Sequence, residues 1–289
     1  MFTIVNEYLS VEISGKGAEL QRIFHIVNRL DYLWNGDPAF WGKKSPVLFP
    51  IVGTLKQDSY FYEGSRYHLS RHGFGRDMEF EAQPFSSTEI QFQLKSNETT
   101  LKSYPFPFVF RIGYRLHSDV LEVSYEVSNP DFKPIYFSVG GHPAFRVPLL
   151  PQTEYEDYFL EFNEEETKPR WPISPDGLIT KTPEPLLRQS TMLPLTRSLF
   201  LRDAIVMKNP SSSMVSLRTD KSPRGLDLDF GEFPYLGIWA AKNADFVCIE
   251  PWEGIADSVD SDQQITGKEG IQKLEGGAVF LKTWKARFY

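Results

Sequence analysis

Apolar and polar residues alternate with a period of two through the middle of the chain. In "EIQFQLKS" the apolar set is Ile90, Phe92 and Leu94, in "RIGYRLHS" it is Ile112, Tyr114 and Leu116, and in "LEVSYEVSNPD" it is Leu121, Val123, Tyr125 and Val127. Successive side chains of a strand point to opposite faces, so each run predicts a half-buried β-strand. The polar link His117, Ser118, Asp119 between the last two runs predicts a hairpin. Short runs of the same kind recur at "YEDYFLEFN", "AIVMKN", "MVSLRT", "GLDLDF", "YLGIWAA", "FVCIEPW" and "AVFLKTWKARFY", mostly separated by Gly, Pro, Asn or Asp. No long stretch carries a helical period, and "SLFLRDA" supplies one turn at most. The pattern predicts an all-β chain built as a large antiparallel β-sandwich.

The 21 prolines gather at "YPFPF", "VPLLPQ" and "KPRWPISPDG", which are loop or edge positions because proline cannot donate to a central ladder. The segment from Pro148 to Pro185 contains "YFLEF" and reads as a long surface excursion carrying a strand, which leaves residues 1–289 as one domain without internal repeats.

Composition narrows the function. A net charge of −7 opposes the electrostatic attraction behind nucleic-acid binding. No apolar run approaches the roughly 20 residues of a membrane span. The opening "MFTIVNEYLSVEIS" alternates and carries an acid, as a first strand does and a signal peptide does not, so a cytoplasmic location is expected. Cys248 is the only cysteine, so neither an internal disulfide nor a cysteine-based zinc site can form. Asn97-Glu98-Thr99 matches a glycosylation acceptor, but without secretion it reads as a turn between strands.

Three stretches set proton-transfer groups beside backbone-shaping residues: "SRHGFGRDMEF" around His72, "SVGGHPAF" around His142 and "VCIEPWEG" around Glu250. Strand ends and turns on a rigid sheet are where catalytic groups concentrate. Gly140 and Gly141 permit close backbone approach or positive φ, and Pro143 holds His142 extended. Taken singly, His72 also fits a turn histidine bonded to a nearby carbonyl, and Glu250 an exposed strand-end carboxylate.

In order along the chain, "RHGFGR", "GGHPAF" and "IEPW" resemble the aldose 1-epimerase (galactose mutarotase) family, in particular its branch associated with lactose-operon proteins and near the hexose-6-phosphate mutarotases. The similarity runs from "IVNEYLSVEISGKGAELQRIF" through "LWNGDPAFWGKKSPVLFPIVG" to the last strands. It implies a galactose mutarotase-like supersandwich with a concave sugar-binding groove, and interconversion of sugar anomers without a metal or other cofactor. Ring opening needs a base at the anomeric hydroxyl and an acid at the ring oxygen, and reclosure reverses both transfers. By motif, the resemblance assigns Glu250 as the base, His142 as the acid and His72 as a second imidazole at the ring oxygen. The glycines before His142 would then let the backbone pass close to the sugar.

For substrate binding, Arg76 suits sugar hydroxyls or a phosphate and equally a structural pair with Asp77 or Glu79. Asp203 falls where the family holds a sugar-binding acid and equally suits a turn cap. Trp239 and Phe74 fit either against the sugar's C–H face or in the core. The asparagine-arginine pair that the better-studied members carry before the first histidine is replaced by "FPIVGTLKQD", which leaves Lys56 as the nearest cation, and Lys56, Arg71 and Arg76 together suit a phosphate. The expected partner is therefore a small sugar or sugar phosphate bound by a monomer or homodimer. The alternatives are a carbohydrate-binding or regulatory protein without turnover and, from histidines and a glutamate on a β scaffold, a cupin-like metal enzyme, which the lack of any His-x-His pair disfavours.

Overall fold

In the computed structural model, which describes residues 1–289, the alternating runs pair into one antiparallel sheet of nine strands. Its order is Ser190–Pro194, Tyr158–Glu166, Met214–Thr219, Ser222–Asp229, Val279–Phe288, Val120–Ser128, Val109–His117, Glu89–Lys95, Glu81–Pro84. The expected hairpin sets Ile112 opposite Tyr125, Tyr114 opposite Val123 and Leu116 opposite Leu121, so both apolar sets fall on one buried face. Tyr158–Glu166 is the strand expected within the long excursion.

A six-stranded sheet faces it, in the order Ile205–Lys208, Tyr235–Trp239, Phe246–Glu253, Val139–Gly141, Val47–Leu48, with Ala144–Arg146 also paired to Phe246–Glu253. Phe110, Ile112, Val123 and Trp284 from the larger sheet meet Val139, Leu236, Ile238, Val247 and Ile249 from the smaller in one core. Such face-to-face packing makes a β-sandwich.

The smaller sheet is also covered on its other face. Leu48, Val206, Tyr235 and Trp252 gather there with Val52, Ile179, Ile255 and Ala256 in a second apolar cluster. The loops bearing these residues are tied down by Lys268 and Asp257, a buried pair 3.1 Å apart, with the other Asp257 oxygen accepting the Lys56 N–H at 2.9 Å. Phe246–Glu253 is therefore buried along its whole length, and the groups on its outward face sit at the bottom of a cavity.

One local expectation is corrected. Asn97 caps a six-residue helix, Glu98–Ser103, where a turn was predicted: its side chain accepts from the Thr99 and Thr100 N–H groups, and Thr100 reciprocates at the Asn97 N–H. "SLFLRDA" forms turns and no helix, within the single turn expected of it at most. No helix is long and apolar enough to cross a membrane.

Candidate active site

Glu250 lies in the middle of Phe246–Glu253, and two-residue periodicity puts Cys248 and Trp252 on the same face. His142 leaves the end of the neighbouring strand Val139–Gly141. Its Nε2 comes within 3.3 Å of Glu250 Oε2, but the N–H is not aligned on the carboxylate, so Oε2 has no hydrogen-bond partner. His142 Nδ1 is likewise buried without one. His72 completes the group from a third segment, with its ring centroid 5.8 Å from that of His142 and the two rings nearly perpendicular at 81°. All three residues border one cavity of about 470 Å³, a size suited to a small ligand.

His72 is fixed by backbone. It adopts φ 68°, in the left-handed region unusual for a residue with a β-carbon. Its N–H donates to the Gly53 carbonyl at 2.8 Å, and the Gly53 N–H donates back to His72 Nδ1 at 3.1 Å. Gly53 must be glycine to do this: its φ is +74°, and a Cβ there would lie 2.5 Å from Ala256 Cβ. A neutral imidazole accepts at only one nitrogen. The rigid amide claims Nδ1, so Nε2 carries the proton, and Arg71 Nε at 3.3 Å is a second donor crowding it rather than a partner.

Arg71 and Asp203 face each other across the cavity rim at 3.4 and 3.5 Å, a stretched two-point contact between half-exposed side chains. Asp203 also has positive φ, 71°, and its Oδ1 accepts the Ala204 N–H at 2.7 Å. Strained non-glycine backbone at both His72 and Asp203 fits a pattern in which strain gathers at functional sites. Arg76 borders the cavity while its Nη2 donates to the Arg71 carbonyl at 2.8 Å. Trp239 borders it too, with its ring 5.7 Å from His142.

Burial dominates the electrostatics. It pushes the Glu250 carboxyl well above the usual range, against the pull of Arg71 and the Trp252 indole. It pulls His142 down to about 3, an effect offset in part by its own backbone carbonyl and reinforced by Arg71 and Arg76. That carbonyl does not meet hydrogen-bond geometry with Nδ1. Burial also lowers His72, helped by His142, Arg71 and Arg76. Burial thus favours the uncharged form of both groups, the proton of the Glu250–His142 pair being held on the carboxyl.

Three sequence expectations change here. Lys56 lies outside the cavity, its Nζ donating to the Ser261 carbonyl at 3.1 Å. Phe74 is a core aromatic, packed against Phe49, Tyr104 and Phe108 rather than the cavity. Gly140 and Gly141 serve packing: a Cβ on the first would lie 2.8 Å from Trp252 Cδ1 and on the second 2.6 Å from Tyr125 Oη, and neither borders the cavity.

Two lining tryptophans were missed by the sequence reading. Trp252 was legible, since it sits two residues beyond Glu250 and so shares its face. Trp41 comes from an irregular loop, and no local pattern marks it. For a metal, His142, Cys248 and Glu250 offer donor atoms within 4.8 Å of one another. The set fits poorly, because Cys248 is fully buried and does not border the cavity, and burial raises its pKa, whereas a metal ligand must be the thiolate.

The chain matches the aldose 1-epimerase family over residues 1–270. It is 34% identical over 281 residues to the chromosomal LacX protein of Lactococcus lactis subsp. lactis, covering 93% of each chain, and equally identical over 278 residues to the plasmid LacX protein. Among solved structures, a galactose mutarotase related enzyme from Lactobacillus acidophilus superposes with a TM-score of 0.93 at 35% identity, over 100% of this chain and 97% of that one. A galactose mutarotase-like protein from Lactobacillus casei does so with a TM-score of 0.93 at 31% identity, over 100% of both. The chain belongs to the aldose 1-epimerase family.

Proposed function

We propose that the protein interconverts the α and β anomers of a free hexose or related aldose, with Glu250, His142 and His72 acting on the sugar. The observation that carries this reading is the 3.3 Å approach of His142 Nε2 to Glu250 Oε2 at the bottom of a cavity that His72 also borders. Ring opening starts from the charged arrangement of the pair. Glu250 takes the anomeric hydroxyl proton while His142 gives its proton to the ring oxygen, the C1–O5 bond breaks, and C1 becomes the aldehyde carbon. Both side chains are then neutral, which is the state that burial favours. After rotation about C1–C2, the ring oxygen attacks the other carbonyl face and both protons return. The Nε2–H of His72 supplies a further donor for the ring oxygen.

The composition of the rim supports a neutral sugar as the substrate class. Lys56 is absent from the cavity, Arg71 faces Asp203, and Arg76 is engaged with the Arg71 carbonyl. That balance suits the hydroxyls of an uncharged sugar better than a phosphate, and Asp203 stands as an acceptor for one of them. Trp239, which borders the cavity, is an aromatic surface for the sugar's C–H groups.

Polarimetry or saturation-transfer NMR on freshly dissolved galactose, glucose, xylose and glucose 6-phosphate tests the proposal. Anomer exchange of a neutral sugar is expected to exceed the buffer rate, and Glu250→Gln or His142→Asn to lower it by about 10²–10⁴-fold, the usual contribution of a proton-transfer group. Variants as fast as the parent would overturn the assignment. Calorimetric sugar binding with no acceleration would point instead to a carbohydrate-binding protein.

A further inference from the structure

A catalytic imidazole is ordinarily oriented by a hydrogen bond to its second nitrogen. His142 has none: Nδ1 is buried and unpartnered, although the residue is only 8% exposed. Its ring instead occupies an aromatic slot. The Trp41 ring lies 4.9 Å away at 30°, close to a stack, and the Trp239 ring stands nearly perpendicular to the imidazole at 5.7 Å and 84°. Trp41 is itself held. Its carbonyl accepts the Trp34 indole N–H at 2.9 Å, its N–H donates to the Asp37 carbonyl at 2.9 Å, and its ring packs at 5.4 Å against both Trp239 and Phe246.

We propose that Trp41 is a positioning residue for His142: its indole face fixes the plane of the imidazole in place of the missing Nδ1 hydrogen bond and keeps Nε2 close to Glu250, within reach of the sugar's ring oxygen. This rests on the reading of His142 as the proton donor. A ring stacked on one neighbour and perpendicular to another is restrained from tilting out of its plane. With Trp41 removed, the imidazole loses its only stacked partner and keeps only the perpendicular rings of Trp239 and His72 and a carboxyl to which it is not aligned. Proton transfer tolerates little misplacement, and an error of about 1 Å at a reacting group lowers the rate by about 10²-fold.

The test compares Trp41→Leu with Trp41→Phe, the second of which restores an aromatic face. Trp41→Leu is expected to lower kcat by roughly 10- to 100-fold with KM changed less than about 2-fold, and Trp41→Phe to retain most of the parent rate. A loss confined to KM would make Trp41 a sugar platform and overturn the proposal, as would an unchanged kcat. Should Trp41→Leu not fold, Trp41→Met provides the same removal of the ring. An independent readout separates failure of this inference from failure of the mutarotase reading. The 15N shifts of the His142 ring report its tautomer and hydrogen bonding without any turnover. They are expected to move in Trp41→Leu and to stay near the parent values in Trp41→Phe, and unchanged shifts in both would overturn the proposal even in a chain inert toward every sugar.

Discussion

The two large sheets solve different problems with the same kind of strand. In the nine-stranded sheet Val120–Ser128 alternates without a break between buried and partly exposed positions, as a sheet does with one face on the core and one on solvent. In the six-stranded sheet Phe246–Glu253 is buried at every position and Tyr235–Trp239 at all but the last. The first sheet is scaffold. The second is a floor, walled by the second apolar cluster and the loops that carry it, and there the Glu250 carboxyl is held nearly out of water beside an open cavity. Loss of alternation therefore marks the strand whose polar residue needs explaining, since a buried glutamate in a continuous apolar run costs stability and such perturbed groups gather at functional sites.

The sharpest way to break the comparison is to damage the scaffold and leave the floor intact. Phe162 is 1% exposed on Tyr158–Glu166, a strand that makes no contribution to the cavity wall. Phe162→Ala is expected to destabilise the fold by about 3–5 kcal/mol through the void it leaves. At this chain length that lowers Tm on the order of 10 °C. Anomer exchange per folded molecule should be unchanged below the transition. A matching loss of activity in the folded state would show that the two sheets are not separable in this way.

The floor predicts the opposite sign for its own residue. Burial raises the Glu250 pKa in the folded chain above its unfolded value near 4.5. A group of this kind contributes stability fully below the unfolded pKa and loses it as pH rises through the folded one. Glutamine has no proton to lose. Thermal unfolding of Glu250→Gln and its parent should therefore nearly coincide at pH 4, with the variant ahead by a few degrees at pH 8. A parent more stable than the variant at pH 8 would mean that the folded chain holds this carboxylate charged and well satisfied. The same substitution that removes activity would thus raise stability.

The contrast also explains what could be read in the sequence. Alternation is a local signal, so the strands from Ile90 to Val127, the hairpin at Ser118 and the strand inside the long excursion were legible directly. The order of the His72, His142 and Glu250 motifs pointed to one family, and the fold brings these residues to one cavity. What stayed hidden depends on three-dimensional closure. Nothing in "VGG" says that its glycines make room for Trp252 and Tyr125, and nothing in "AFWGKK" says that Trp41 will lie against an imidazole a hundred residues later. Phe74 has the same composition-level description as a sugar-stacking residue and differs only in which side of its turn the ring occupies.

Lys56 makes the smallest and most diagnostic case. By residue type and position it was the cation expected to replace the missing arginine, and it lies within the same loop system as Gly53, which holds His72. Yet the Lys56 Nζ donates to the Ser261 carbonyl and its backbone N–H to Asp257, while Gly53 keeps its amide on the imidazole. The backbone N–H of Lys56, donated to Asp257, is retained by any substitution except proline. Lys56→Ala should therefore leave kcat for a neutral aldose unchanged and KM within about 2-fold, since only a peripheral lysine–carbonyl contact is lost. Steady-state anomerisation kinetics on the preferred sugar decide this, and a selective rise in KM for glucose 6-phosphate would return the lysine to the substrate and a phosphate to the cavity.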